Sequence, residues 1–414
     1  MVTHNDISTE DVLYTIESFK SILTTDSARS TVSYFGPNNM ILGKNKLTRP
    51  TLLIDQHKCA DNIARMVGKA AKNDVRLRTH FKTHQSAQIG EWIRSQGVVS
   101  IAVSSVKMAE YFANHDWNDI TIAFPFNIHE LPVINAIDPQ VLLQLTFMSP
   151  EVIEKTDAGL TRPVEAVIKI DTGYHRTGIA YDDFQNIATV HKAITGAKNI
   201  TFRGFLAHAG HSYYKSSIDM IQKIHEQTRE RMLVLQTRYP DAELSIGDTP
   251  CCSMLDDFIG VTEIRPGNFV FYDISQNSIG SCTMDQIAVC LAVPVVAVHP
   301  EERKVVVHGG AVHLSKDYIA MDDGSKNFGQ VVKLENQGWG QPLTEWSVSS
   351  LSQEHGILES ASEEAFTKIK VGDFIGIIPI HSCLTADAMK GYLTLEGLPL
   401  EHLEGTNYLS LIHI

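Results

Sequence analysis

No apolar run in the sequence approaches the ~18 residues that a membrane-spanning helix needs, so no transmembrane segment is expected. A surplus of basic charge is missing as well. The net charge is -13, which argues against nucleic acid or an anionic membrane surface as the main partner. Cysteine is sparse: Cys59, Cys251, Cys252, Cys282, Cys290 and Cys383 are scattered over 414 residues and set up no disulfide framework. Reduced thiols in a cytoplasmic protein are the expectation. No CxxC pair points to a closed structural zinc site. The opening MVTHNDISTEDV has acids and no apolar core, unlike a secretory signal. A glycine-rich dinucleotide turn near the first strand–helix unit is also absent, and an open doubly wound sheet would want one. There is no internal repeat and no low-complexity tract.

What remains is an ordinary globular composition, 43% hydrophobic and 20% charged, in a chain long enough for two domains. Residues 1–48 read as a helical arm and a polar connector that contributes to a later β domain. A short strand follows at 51–55. Ile63, Met66, Val67, Ala70 and Ala71 then share one face at helical spacing. Apolar runs that read as strands lie at 75–81, 98–103, 120–124, 141–147, 164–170, 200–207, 243–246 and 262–264. Most are separated by helical stretches, such as 86–96 with Gly97 as its stop and the long amphipathic 216–239. Eight such units predict an α/β fold over residues 49–275, a (β/α)8 TIM barrel. From 276 to 414 the texture is β-rich, with strand signals at 287–299, 304–307, 339–349 and 374–379. A second, mostly antiparallel β domain is expected there. The terminal LSLIHI carries no weight.

Lys82 stands at the carboxyl end of the first barrel strand, flanked by His80 and His84. On that face of a barrel, loops replace packing and carry chemistry, and a lysine shielded from water can form a Schiff base. A plain surface lysine is the bland alternative. After the fifth strand, IDTGYHRTG puts Arg176 near the same rim, where a guanidinium can hold an anionic oxygen or join a structural ion pair. After the sixth, FLAHAGHSYY supplies His208, His211 and Tyr213 as candidates for acid–base work or ring packing. After the seventh, Gly247, Asp248 and Thr249 form a small turn of the kind that offers backbone N–H groups to a phosphate. Tyr272, at the barrel's close, is a further phosphate candidate, or a core tyrosine. In the second domain His381 and Cys383 are two apart. In an extended segment both would point the same way and suit zinc, with room left for water and substrate.

Taken together, HFKTH, DTGYHRTG, AHAGHSY, GDT, RPGNFVFYD and HSC, in this order, resemble the D-serine dehydratase/D-threonine aldolase family, the metal-dependent branch of the alanine-racemase-type pyridoxal phosphate enzymes. The resemblance runs from about residue 49 to about 390. It implies the alanine-racemase-like barrel plus β domain (the type III fold of pyridoxal phosphate enzymes) and a homodimer with active sites near the subunit interface. It implies that Lys82 binds pyridoxal 5'-phosphate covalently, and that Arg176 lies near the cofactor's phenolic oxygen. It places His208 against the pyridine ring and Gly247, Asp248, Thr249 and Tyr272 around the phosphate. His381 and Cys383 match the metal pair, for Zn2+ or another divalent ion such as Mn2+. A His-x-Cys pair looks like the zinc-dependent dehydratases, whereas the aldolases more often carry His-x-Asp. His211 and Tyr213 align loosely and are kept as catalytic candidates.

The expected activity is therefore β-elimination of a D-3-hydroxy amino acid, D-serine first, to a 2-oxo acid and ammonia. A D-threonine aldolase and a D-threo-3-hydroxyaspartate dehydratase are the alternatives. A racemase fits less well, because it needs a second base and no metal. A non-catalytic pyridoxal phosphate carrier is disfavoured by the second domain and its HSC motif.

Overall fold

The computed structural model describes residues 41–42, 45–214, 217–335 and 337–405. The expected arm falls largely, and the LSLIHI tail wholly, outside the described residues. Eight parallel strands close into a barrel: Arg76–His80, Ser100–Val103, Asp119–Pro125, Leu142–Phe147, Val164–Asp171, Ile200–Ala207, Glu243–Ile246 and Glu263–Ile264. Each pairs with the next, and the eighth pairs with the first. All eight runs read from the sequence are strands. The helices Gln56–Lys72, Ala87–Arg94, Val106–Ala113, Pro150–Gly159, Phe184–Gly196 and Ile218–Gln236 alternate with them. Several starts are capped as a polar N-cap residue dictates. Asp55, Ser86, Ser105 and Asp183 each accept a backbone N–H from the first turn of their helix.

Alternation along the strands divides two environments. Ile101, Val103, Ile120, Leu143, Leu145, Ile168, Leu244 and Ile264 are fully buried apolar positions. The intervening positions are charged or polar and reach across the lumen. Arg78 of the first strand donates to Asp119 of the third (2.7 Å) and to Glu263 of the eighth (2.7 Å). Arg76 bonds Glu263 and Glu243, Arg203 bonds Glu243 and Glu165, and Gln144 links Glu165 to Thr121. The lower lumen is thus a near-continuous girdle of alternating charge rather than an aliphatic plug.

The second domain is a sheet of ten strands built around Val289–His299. That strand pairs antiparallel with Phe374–Pro379, Lys304–His308 and Thr51–Ile54. The short strand that precedes the barrel in sequence therefore lies in the second sheet. There it also pairs with Tyr392–Thr394, in parallel. The stretch read as one unit at 339–349 is two strands, Gly338–Pro342 and Trp346–Leu351. The domains interlock at the barrel's carboxyl-terminal face. Tyr392 donates its hydroxyl to the carbonyl of His84 (2.6 Å), and Leu403 donates its N–H to Gln85 (2.9 Å). Among the described residues no helix is long and apolar enough to cross a membrane.

Glu263 is the girdle's most buried carboxylate. Burial favours its neutral form, but Arg78 and Arg76, with a bond from Ser245, outweigh that and hold it down at about 2. Glu263→Gln leaves two guanidinium groups undercompensated, and its expected cost is ~3–5 kcal/mol in urea unfolding at neutral pH. The folded value lies below the ordinary one. The wild-type advantage is therefore full above about 4.5 and shrinks as pH falls towards about 2.

Candidate functional site

The strand Arg76–His80 passes directly into a single 3-10 turn, Phe81–Thr83, and this turn presents Lys82. Two contacts fix it. Phe81 is fully buried against Phe112 and Trp117, with ring centroids 4.8 and 4.9 Å away. The Lys82 N–H donates to His80 Nδ1 at 3.4 Å. Lys82 itself is exposed at the barrel mouth. His84 is not a mouth residue. It is buried under Phe81, and burial drives its pKa down to about 3.

A cluster of titratable groups surrounds Lys82. Its charge acts on His80, Lys169, His208 and Cys383. His80 and His208 are kept neutral, first by burial and then by the cations around them. The Nδ1 of His208 lies 2.6 Å from the Gly247 carbonyl, so that nitrogen carries the ring proton and donates it. Lys169, on the fifth strand, is held well below the ordinary lysine range by burial and by Arg265 and Arg176. Arg265 is buried, donates to Ser245 Oγ at 2.8 Å and to the Ala207 carbonyl, and joins the mouth to the girdle beneath.

The turn after the fifth strand is built by Asp171, which accepts N–H groups from Gly173, Tyr174 and His175 at 2.8, 3.0 and 3.1 Å. It delivers Arg176, exposed, whose guanidinium lies 5.0 Å from the centre of the Tyr174 ring. Tyr174 also stacks on His211 at 5.9 Å and meets His208 edge-on. Gly210 makes that packing feasible, since a Cβ there would lie 2.3 Å from the Tyr174 ring. Tyr213 faces the turn after the seventh strand, with its ring 6.2 Å from that of His208. Its hydroxyl accepts the Thr249 N–H at 3.0 Å, and burial raises its pKa.

The Gly247–Thr249 turn reaches the mouth, but its side chains are occupied. Asp248 accepts from Ser212 and from the Cys251 N–H, both at 2.8 Å, and caps the short helix Thr249–Met254. The Thr249 hydroxyl accepts the Asn268 N–H at 3.1 Å. The Tyr272 hydroxyl lies 3.0 Å from Ser253 Oγ, one helical turn beyond Thr249, and the residue lines a cavity with Asn62, Arg65 and Lys69.

His381 and Cys383 do meet, although not in an extended segment. His381 is the N-cap of the helix Ser382–Met389 and Cys383 sits in its first turn. Burial disfavours the imidazolium, yet the bond to Cys383 and the nearby Asp273 and Asp317 raise His381 to about 10. Burial likewise raises the thiol, but His381 and Lys82 outweigh it and lower Cys383 below its ordinary value. Cys383 Sγ lies 3.4 Å from Thr83 Oγ1 and 3.5 Å from Asn268 Nδ2. Thr83 is the neighbour of Lys82, so the two domains converge on one site.

Sequence reasoning missed Lys169, Arg265, Asn268 and Asp317. Lys169 had a signal: a lone cation inside an apolar strand. Asp317 had none, since it lies 64 residues from the histidine it contacts at 2.9 Å. A carboxylate on Nδ1 leaves Nε2 as the nitrogen that would ligate a metal once its proton is displaced. Asp317→Asn is expected to weaken divalent-metal binding about 10–100-fold in competition with a chelator. Unchanged affinity would remove Asp317 from that role.

The family model "Alanine racemase, N-terminal domain" matches residues 54–274, and "Putative serine dehydratase domain" matches residues 288–395. A D-serine dehydratase of Dictyostelium discoideum is 28% identical over 84% of this chain and 93% of its own length. The D-threo-3-hydroxyaspartate dehydratase of Delftia sp. HT23 superposes with a TM-score of 0.78 at 27% identity, covering 86% of this chain and 97% of that one. A cysteine-to-alanine mutant of a D-threo-3-hydroxyaspartate dehydratase, solved in a metal-free form, superposes equally well, with a TM-score of 0.78. The chain belongs to the alanine racemase N-terminal domain family, and its second part matches the serine dehydratase domain.

Proposed function

We propose that the protein is a pyridoxal phosphate- and zinc-dependent D-serine dehydratase, a lyase that eliminates water from a D-3-hydroxy amino acid to give a 2-oxo acid and ammonia. The observation that carries this reading is the 3.4 Å approach of Cys383 to Thr83, which sets a His–Cys pair one residue from an exposed lysine. The donor chemistry fits both groups. A lowered thiol beside an imidazole suits a borderline-soft divalent ion. Lys82, Lys169, Arg176 and Arg265 converge on the mouth and suit an anionic, phosphorylated aromatic cofactor.

Bound there, pyridoxal phosphate would supply an electron sink for the α-carbanion, and zinc a Lewis acid for the β-hydroxyl. The chain's own residues do the rest. Lys82 is the residue that would hold the cofactor, and its Nζ would take the α-proton. Arg176 and Lys169 offer positive charge to the phenolic oxygen. His208, neutral and pinned by Gly247, gives the cofactor ring a rigid flank. The Gly247–Thr249 backbone and Tyr213 form the phosphate end. His381 and Cys383 would hold the metal, and Asp317 orients His381. His211 supports Tyr174 from behind. Tyr272 has no part in this arrangement. The reading includes a cytoplasmic homodimer: exposed Tyr214, Ile218 and Met220 beside the mouth are apolar surface of the kind subunit contacts cover.

The deciding experiment offers D-serine, D-threonine and D-3-hydroxyaspartate to one metal-assayed sample and measures ammonia against glycine. Ammonia with pyruvate from D-serine is the expected result. Glycine as the product would make the protein an aldolase, and turnover confined to D-3-hydroxyaspartate would move the substrate assignment to the activity of the Delftia relative. Lys82→Ala is expected to lose the cofactor's visible absorbance and all turnover. Cys383→Ala should keep that absorbance while losing metal and about 10²-fold or more in rate. Full activity in the presence of chelator would take the metal out of the reaction.

A further inference from the structure

Away from the barrel mouth, His308, His313 and Glu354 bring three metal-ligating groups together. One ligand atom from each lies within 4.8 Å of the other two. His308 Nε2 is 3.4 Å, and His313 Nε2 3.8 Å, from the same carboxylate oxygen, Oε2 of Glu354. The two rings stand edge to face, with centroids 5.4 Å apart.

The scaffold beneath them is stitched rather than loose. His308 closes the strand Lys304–His308 and sits opposite His355 in the ladder. The turn that carries Glu354 accepts three N–H groups from the facing segment: Gly309 to Glu354 (2.9 Å), Ala311 to Ser352 (2.8 Å) and Val312 to Gln353 (3.2 Å). Gly310 permits the approach, since a Cβ there would lie 2.4 Å from the Gln353 carbonyl. His313 follows on the single helical turn Ala311–Leu314.

A simple His–Glu ion pair explains this less well than a cation does. Such a pair needs one imidazole, and two are aimed at the same oxygen. His313 is partly buried. Its Nδ1 is buried with no hydrogen-bond partner among the described residues, and its Nε2 is too far from Glu354 for a hydrogen bond. In a tetrahedral zinc site, bonds of about 2.0–2.1 Å place ligand atoms about 3.4 Å apart. The observed spacing needs side-chain movements on the order of 1 Å to reach it.

We propose that His308, His313 and Glu354 form a second divalent-cation site with two nitrogen ligands, one oxygen ligand and an open position for water. It takes zinc or cobalt(II) and is independent of the thiolate site at Cys383. It clamps the segment that leads to Asp317. The Leu314 carbonyl in that segment accepts the Thr385 hydroxyl (3.3 Å) from the helix that carries Cys383.

The test is cobalt titration of the full chain after dialysis against chelator, read by absorbance. The wild type should bind two equivalents, one with a thiolate-to-cobalt charge-transfer band and one with ligand-field bands alone. Cys383→Ala should keep the second equivalent. Adding His313→Ala or Glu354→Gln to Cys383→Ala should abolish it. Glu354→Gln alone, an isosteric change on a half-exposed turn, should keep the thiolate-bearing equivalent and the turnover, which also shows that the variant folds. The proposal is overturned if Cys383→Ala binds no cobalt, or if its remaining equivalent survives both His313→Ala and Glu354→Gln. A wild type without a thiolate band would instead count against the active-site metal.

Discussion

The girdle of charge in the lower barrel is the constraint on which the rest depends. Arg78 is fully buried and its guanidinium is committed to Asp119 and Glu263, on the third and eighth strands. Arg76 and Arg203 continue the pattern through Glu243 and Glu165. Bidentate and shared-carboxylate bonds have narrow geometry, so each strand's height relative to its neighbours is set by its polar side chains. An aliphatic plug would tolerate a slip that this girdle does not. Ser245 and Arg265 carry the same network up to the mouth. The heights of Lys82, Lys169 and His208 above the lumen are therefore inherited from ion pairs below them.

The second domain is joined to that frame by polar contacts. Asp273 Oδ2 accepts the Ser382 N–H (2.9 Å), the Ser382 hydroxyl (3.2 Å) and Asn268 Nδ2 (2.7 Å). One buried carboxylate thus ties the start of the Cys383 helix to the barrel's last turn. The acid–base cluster and the His–Cys pair are in contact because this joint leaves little freedom between the lobes. A site divided between domains usually implies hinge motion; the hydrogen bonds here imply a fixed cleft.

How far the sequence could foresee this follows from periodicity. The eight barrel strands were legible because their outward positions are aliphatic at period two and helices with polar caps separate them. The girdle was not. Arg76, Arg78, Glu243 and Glu263 look like solvated strand ends until closure turns them inward. Lys82, Cys383 and His381 could be singled out because rare residue types stand at strand ends or close together. Their geometry could not: the HSC segment was read as extended, whereas His381 caps a helix. The place of Tyr272 in a motif suggested phosphate. Its backbone lies in the left-handed region at φ 50°, and its hydroxyl meets Ser253. Side chains recruited across the chain, such as Asp317 to His381, leave no local pattern to find.

The strand Thr51–Ile54 lies between partners that come from the far end of the chain, Val289–His299 on one side and Tyr392–Thr394 on the other. The ribosome makes this strand first and its partners after the barrel is complete. Its two edges, with fully buried Leu52, Leu53 and Ile54, have no native mates during all of that synthesis. The barrel can close as a nascent unit, while the sheet that completes the cleft is sealed last, from both termini at once.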